Sequence, residues 1–192
     1  VHPHTYHPAG MIGDGRTNGN NWKEIKCWNG GYATIMGIKN DGSIWYTGYL
    51  TGAGTGGTAA AVGSSVNAWT RLAEFGYDNK HIKVTRVGYY RHWMVEKNNG
   101  SFMPGGYNYT GGSGNGTILN GYRGNEYDTL MRINVPIKEW MIGGYGESSS
   151  SYHTWYGLGT DGNVYSTGFN DYGQLGHDDV QQYGTTPSPI LF

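Results

Sequence analysis

Three of the seven histidines crowd the first seven residues, His2-Pro-His-Thr-Tyr-His7. A His-x-His pair on an extended strand sends both imidazoles to one side, because strand side chains alternate. Copies of such a pair gathered about an axis would surround a metal ion with nitrogen ligands. The competing reading of His2, His4 and His7 is a terminal loop rich in His and Pro that holds nothing, since no Cys or carboxylate adjoins the cluster. A second set is Tyr109, Tyr122, Arg123, Asn125 and Tyr127. Tyr beside Asn, Ser and Gly makes an adaptable recognition surface, with rigid aromatic area and small hydrogen-bonding groups. Flat aromatic faces also suit sugar rings. The plainer reading is that these side chains fill space between neighbouring units. A third set, Asp171, His177, Asp178 and Asp179, has the chemistry to hold calcium or pass a proton. The motif around it favours a structural role. No nucleophile elbow of the Gly-x-Ser-x-Gly kind is present, and no Gly-x4-Gly-Lys-Ser/Thr phosphate loop. The expectation is a non-enzymatic protein with no cofactor. Asn108-Tyr-Thr110 and Asn115-Gly-Thr117 are glycosylation sequons that matter only in a chain secreted by a eukaryote.

The elements that would position these residues follow from composition and repetition. The 192 residues include 35 Gly, 17 Tyr and 7 Trp, with only 14% charged side chains. Disordered chains lack so much aromatic area, whereas many short strands joined by glycine-rich loops have it. A formal charge of -1 gives no basic field for nucleic acid or an anionic membrane. Lone Cys27 excludes an internal disulfide framework and a thiolate zinc site. No apolar run approaches membrane-spanning length. The chain begins at Val1, as a processed or partial product would, so the lack of a visible signal peptide is silent on export.

Three stretches repeat one pattern: Lys39-Asn-Asp-Gly-Ser-Ile-Trp-Tyr-Thr-Gly-Tyr49, Lys97-Asn-Asn-Gly-Ser-Phe-Met-Pro-Gly-Gly-Tyr107 and Gly159-Thr-Asp-Gly-Asn-Val-Tyr-Ser-Thr-Gly-Phe169. The turn pairs Asp41-Gly42, Asn99-Gly100 and Asp161-Gly162 are spaced by 58 and 62 residues, and the closing glycines Gly48, Gly106 and Gly168 keep both steps. Asp-Gly and Asn-Gly predict two-residue type I′ hairpin turns. Around each hairpin lie further short strands, including Ile82–Val87, Trp69–Leu72, Leu130–Ile133 and Ile137–Ile142. Pro104 has no amide donor, so its strand should be an edge or stop early. The serine run Ser148–Ser151 predicts a surface loop, and Gly52–Asn67 another. Trp28, Trp45, Trp93, Trp140 and Trp155 fall on or beside these strands, where packing is their expected role. The expected fold is all-β: β-propeller blades of four-stranded antiparallel sheets, about three blades plus the tail of a fourth. The blades would span 22–80, 81–136 and 137–192, with 1–21 the tail of a preceding blade or an N-terminal arm.

The third repeat also carries a family signature. Gly162-Asn-Val-Tyr-Ser-Thr-Gly-Phe-Asn-Asp-Tyr-Gly-Gln-Leu-Gly176 closely resembles the regulator-of-chromosome-condensation repeat, whose pattern ends in Gly-x-Asn-x-x-Gly-Gln-Leu-Gly. Gly88-Tyr-Tyr-Arg-His92 is similar to that family's strand entry, and Pro189 to its pre-strand proline. In the first two repeats the signature is replaced by Gly52-Ala-Gly-Thr-Gly56 and Gly111-Gly-Ser-Gly-Asn115. The resemblance implies a β-propeller and, by itself, no function. Family members that exchange nucleotide act on a small GTPase, but no residue set for that is carried over here. The Tyr/Gly/Ser-rich loops look more like repeats in bacteriophage tail-fibre and appendage proteins. The expected function is therefore a binding or structural module of a virion appendage, placed on the virion or extracellularly, that mediates host-surface adhesion. Its partners would be a surface glycan or outer-membrane receptor, and other copies of itself or the missing blades of a longer chain. The alternatives are a cellular protein-interaction propeller of the exchange-factor type, or a secreted lectin or filament subunit.

Overall fold

A computed structural model describes residues 21–30, 32–50, 64–84, 92–106, 130–131, 133–147, 150–178 and 183–191. Strands β1 (Trp22–Gly30), β2 (Tyr32–Lys39), β3 (Ile44–Leu50) and β4 (Ser64–Arg71) form one four-stranded sheet in chain order. Strands β5 (Asn79–Val84), β6 (His92–Lys97) and β7 (Phe102–Gly106) form a second, three-stranded sheet. Strands β8 (Ile137–Glu147), β9 (Ser150–Gly159), β10 (Val164–Phe169) and β11 (Tyr183–Pro189) form a third, again in chain order. Neighbouring strands pair antiparallel throughout. The single helical element among the described residues is a 3-10 turn at Ala73–Phe75. None of their helices is long and apolar enough to cross a membrane. The chain is all-β, as its repeats predict.

The repeated hairpins turn where expected but with different geometry. Each loop has three residues, not two: Asn40-Asp41-Gly42, Asn98-Asn99-Gly100 and Thr160-Asp161-Gly162. The amide of Lys39 donates to Ser43 O, that of Lys97 to Ser101 O and that of Gly159 to Asn163 O, at 2.9, 2.8 and 2.8 Å. Within each loop the glycine amide donates back to the residue before the loop, over 2.9, 3.0 and 3.2 Å. This is the pattern of a type I turn closed by a glycine bulge. The glycines take the left-handed φ this bulge needs, +82°, +83° and +87°. The middle residue explains the preference. Asp41, Asn99 and Asp161 each accept, through Oδ1, the amide two residues on, at 2.9, 2.9 and 3.1 Å. Such a local bond holds an ordinary turn that a side chain can brace from inside.

Other shared details mark the three sheets as copies. The first strand of each shifts register near its start, at Trp22/Glu24, Asn79/His81 and Ile137/Glu139. Gly48 and Gly168 have φ of +89° and +114° and sit at the register shifts of β3 with β4 and of β10 with β11. Leu72, Met131 and Ile190 each donate an amide to the residue that opens the third strand, Ile44, Phe102 and Val164. Leu130–Ile133, expected to be a strand, is not one among its described residues. Leu72 and Ile190, which make the same bond, also lie just beyond their strands, and Pro104 bears on the outer side of β7. The bond from Lys97 to Ser101 sets an alternation that turns the Pro104 nitrogen away from β6, toward the place of a fourth strand, and that nitrogen has no hydrogen to donate.

Two expected loops prove partly to be strand. Ser150 and Ser151 belong to β9, because β8 and β9 continue pairing to Glu147 opposite Ser150. Likewise β4 begins at Ser64, within the predicted Gly52–Asn67 loop, where Ser65 pairs with Tyr49.

The cores lie between sheets. Met36, Ile38, Ile44 and Tyr46 of the first sheet meet Ile82, Trp93, Val95 and Met103 of the second, with Leu72 and Phe75 from the connection. The second sheet's other face sends Met94 and Phe102 against Trp155 and Met131, backed by Ile133, Ile137 and Trp140. Strand alternation explains how β6 serves both cores: Trp93 and Val95 point one way and Met94 the other. Each side chain so buried contributes about 1.5–3 kcal/mol. Polar groups pin the first junction. Asn79 Nδ2 donates to Gly42 O at 2.7 Å and Gly76 O at 3.3 Å, and Glu24 accepts the Ile82 amide at 3.0 Å. Buried Lys97 donates to Phe75 O and, at 2.8 Å, to Asp78.

Candidate functional site

Tyr109, Tyr122, Arg123, Asn125 and Tyr127 lie outside the described residues, as do His2, His4, His7 and Asp179. The stretch after β10 is the third repeat's counterpart of the stretches that follow Gly48 and Gly106, the second of which carries the Tyr109–Tyr127 set. It holds Asp171, His177 and Asp178.

Its fixed residues build a brace. Asn170, 5% exposed, accepts the Leu175 amide through Oδ1 at 2.9 Å. The Gly173 amide returns to Asn170 O and the Gly176 amide to Gly173 O, both over 3.0 Å. Gln174 Oε1 accepts the Tyr172 amide at 2.9 Å, and its carbonyl accepts the Tyr156 hydroxyl at 2.8 Å. Burial pushes the Tyr156 phenol above its ordinary range, so it stays a donor. Leu175 is buried to 1% exposure, with Cδ1 over Gly184, where a Cβ would come within 2.6 Å of it. What the brace leaves outside is Asp171, Tyr172 and Gly173, with Tyr172 89% exposed and its ring edge-on to Phe169 at 6.1 Å.

His177 belongs to the brace. Its Nε2 lies 3.1 Å from Ser188 O and 3.0 Å from Ser166 Oγ. A carbonyl only accepts, so Nε2 carries the proton. Ser166, fully buried, gives its own hydroxyl proton to Leu175 O at 2.7 Å. The imidazole therefore faces the serine with a hydrogen and cannot take one from it, and the pair is no nucleophile and base. Asp171 and Asp178 are exposed, and no cluster of metal-ligating side chains occurs among the described residues. Another charged feature of the third sheet is its hairpin. There Tyr165 donates to Asp161 at 2.7 Å, which lowers the Asp161 carboxyl and raises the Tyr165 phenol.

Residues 161–192 match the family model of the Regulator of chromosome condensation (RCC1) repeat. The chain thus has a β-propeller fold, and its last repeat resembles the RCC1 repeat. Human WBSCR16 shares its fold with a TM-score of 0.57 and 15% identity, over 89% of this chain and 39% of that one. Prp20p from Saccharomyces cerevisiae does so with a TM-score of 0.53 and 18% identity, over 91% of this chain and 40% of its own. The propeller thus spans about two fifths of the length of either neighbour. No curated protein matches the chain. Prp20p has been described for its binding properties to Gsp1p and histones.

The signature and the brace coincide. In Gly-x-Asn-x-x-Gly-Gln-Leu-Gly, the named Asn, Gln and Leu are the bracing groups, and the adjacent variable pair is Asp171-Tyr172, both exposed. Sequence reasoning grouped Asp171 with His177 by chemistry and passed over Tyr172. The available signal was its place at a variable position between fixed ones.

Proposed function

We propose that this propeller is a protein-interaction module that binds partners through the loops following each third strand, without catalysis. The observation that carries this reading is the loop after β10, in which a buried, fully bonded frame holds Tyr172 out at 89% exposure. A large aromatic held in place loses little entropy on binding and so contributes strongly to an interface. Asp171 beside it and Asp178 further along the loop are exposed carboxylates, which favours a partner surface carrying Arg or Lys. The RCC1-type repeat and the Prp20p-like fold support a cellular protein partner over a host-surface glycan. The virion-appendage reading rests on the composition of loops 52–67 and 111–128.

The test places a photo-crosslinking amino acid at position 172, identifies the captured protein and measures its affinity for the purified chain. Tyr172→Ala should weaken that affinity about tenfold or more, with an unchanged melting temperature. A captured protein that binds Tyr172→Ala and Asp171→Ala as tightly as wild type would sink the assignment. Tight binding to an array of glycans by the same loops would restore the adhesion reading.

A further inference from the structure

The hairpin end of the first sheet carries a pair of cations that the repeat does not require. Lys39, Trp45 and Arg71 share one face, because Trp45 pairs with Gly37 of β2 and with Arg71 of β4. The Lys39 ammonium lies 4.1 Å from the centre of the Trp45 ring. The Arg71 guanidinium lies 4.1 Å from the centre of the Tyr77 ring, which is 57% exposed. Among the described residues no carboxylate is within ion-pair distance of either cation, and Arg71 Nε is buried without a hydrogen-bond partner. Asp41 feels both cations through space, but its Oδ1 is taken by the Ser43 hydroxyl and amide at 2.6 and 2.9 Å. Asp78, next to Tyr77 in sequence, is taken by Lys97 at 2.8 Å. Tyr77 itself is held. Asn79 binds the carbonyl of Gly76 before it, and its own carbonyl lies against Gly42. The other two sheets show the same corner without this arrangement. Leu130 and Pro189 stand where Arg71 does, each one residue before the amide that bonds to the third strand. Lys97 stands where Lys39 does, but it is buried and spends its ammonium on Phe75 O and Asp78. Leu130 is 45% exposed and Pro189 is exposed, although both sheets have a neighbour packed on this face. The corner thus stays open where the face is covered, so its access does not depend on what precedes β1.

We propose that Arg71 and Tyr77, with Lys39 on the same face, bind the carboxylates of an acidic segment of a protein partner. The guanidinium fork matches a planar carboxylate edge-on. Stacking on Tyr77 fixes the plane of that fork in advance, so little rotamer freedom is lost on binding. The exposed Tyr77 ring gives apolar surface to the methylenes of a glutamate side chain. Asp41, near both cations, disfavours a phosphate dianion more than a single carboxylate. The site stands at the hairpin end of its sheet, whereas the Tyr172 loop leaves the opposite end of β10. It is therefore separate from the contact proposed for Tyr172 and does not rest on it.

A blocked hexapeptide of alternating Glu and Ser, its Gln counterpart and inorganic phosphate are each titrated into the isotope-labelled chain. NMR follows the Arg71 Nε–H signal, assigned by its loss in Arg71→Lys, and the backbone amides of Tyr77 and Asp78. The Glu peptide should shift these signals saturably and the Gln peptide should not. Arg71→Gln should weaken binding of the Glu peptide roughly fivefold or more, and Arg71→Lys, which keeps the charge and loses the fork, by less. Tyr77→Ala should weaken it as well, with an unchanged melt, since its ring is exposed. Added salt should weaken the complex. Tyr172→Ala should leave this affinity unchanged; a loss there would move the contact to the other loop and overturn the proposal. Equal binding of the Glu and Gln peptides, or no saturable shift with the Glu peptide, overturns it in the wild-type chain, whether or not the variants fold. Undiminished binding by Arg71→Gln overturns it too, and tighter binding of phosphate than of the Glu peptide overturns the carboxylate class.

Discussion

The three hairpin glycines provide a built-in controlled experiment. Gly42, Gly100 and Gly162 have φ of +82°, +83° and +87°, so each would impose nearly the same left-handed strain on an alanine. Their surroundings differ. A Cβ at Gly100 or Gly162 would meet nothing within 4 Å, whereas one at Gly42 would lie 1.7 Å from the backbone oxygen of Tyr77. Gly100→Ala and Gly162→Ala should therefore lose only the backbone term, about 1–2 kcal/mol. For a chain of this length that lowers the melting temperature by about 2–8 °C. Gly42→Ala must also move a peptide group that cannot swing aside. Asn79 ties Gly42 O to Gly76 O, and Tyr77 lies between Gly76 and Asn79 in sequence. Relief breaks those bonds, at about 1 kcal/mol each, and loosens the junction between the first two sheets. The total should reach about 3–5 kcal/mol, in the range of the most damaging single substitutions. Urea titrations of the three variants, compared at constant m-value, measure the difference. If Gly42→Ala falls within about 0.5 kcal/mol of the other two, the close approach of hairpin and connection is wrong.

Asn79→Ala tests the same junction from the other side: it removes two bonds from a fully buried amide and should cost about 1–3 kcal/mol in urea unfolding. Gly168→Val places a β-branched residue at φ +114° and should destabilise by about 1–3 kcal/mol, visible as a lowered melt. Asp41 has a carboxyl held below its ordinary 3.8 by the Ser43 hydroxyl and then the Ser43 amide. A depressed folded value adds stability that is complete above pH 3.8 and disappears as pH falls through the folded value, so the melt should drop along that acid limb. Asp41→Asn, which copies Asn99, should keep the turn and flatten that part of the pH profile; an unchanged profile would show that Asp41 does not contribute to it.

Much of this fold was legible because its signals are local. A glycine with left-handed φ and an Asp or Asn before it mark a hairpin wherever they recur, and Pro104 announces a strand that lacks one donor on its outer side. The geometry of the turn was less legible. Asp-Gly suits a two-residue turn when both residues take positive φ, but here Asp41 instead braces the Ser43 amide, and the choice depends on where strand pairing ends. Register is likewise set across strands. Ser150 and Ser151 look like loop by composition and become strand because β8 continues beside them. The candidate sites divide in the same way. His177 looked like chemistry because imidazole and carboxylate types cluster in sequence, yet its proton and partners are fixed by Ser166 and Ser188 from strands on either side.

Asn170 brings these strands of argument to one side chain. It is buried, with only 5% of its surface exposed. Its Oδ1 holds the Leu175 amide, and its carbonyl holds that of Gly173, so it closes both ends of the segment that displays Asp171 and Tyr172. Asn170→Ala keeps the carbonyl and loses the side-chain bond. Leu175 would keep its place over Gly184, and the cost to the fold should be about 1–2 kcal/mol. The greater effect should fall on recognition, because a loosened loop must be ordered again on binding at about 0.5–1.5 kcal/mol for each side chain immobilised. Asn170→Ala is thus expected to weaken the partner crosslinked at position 172 severalfold, mainly through faster dissociation. Asn170→Asp, which keeps an acceptor at the same place, should restore most of that affinity. If Asn170→Ala binds like wild type while Tyr172→Ala does not, the display is independent of the brace, and the repeat signature serves packing alone.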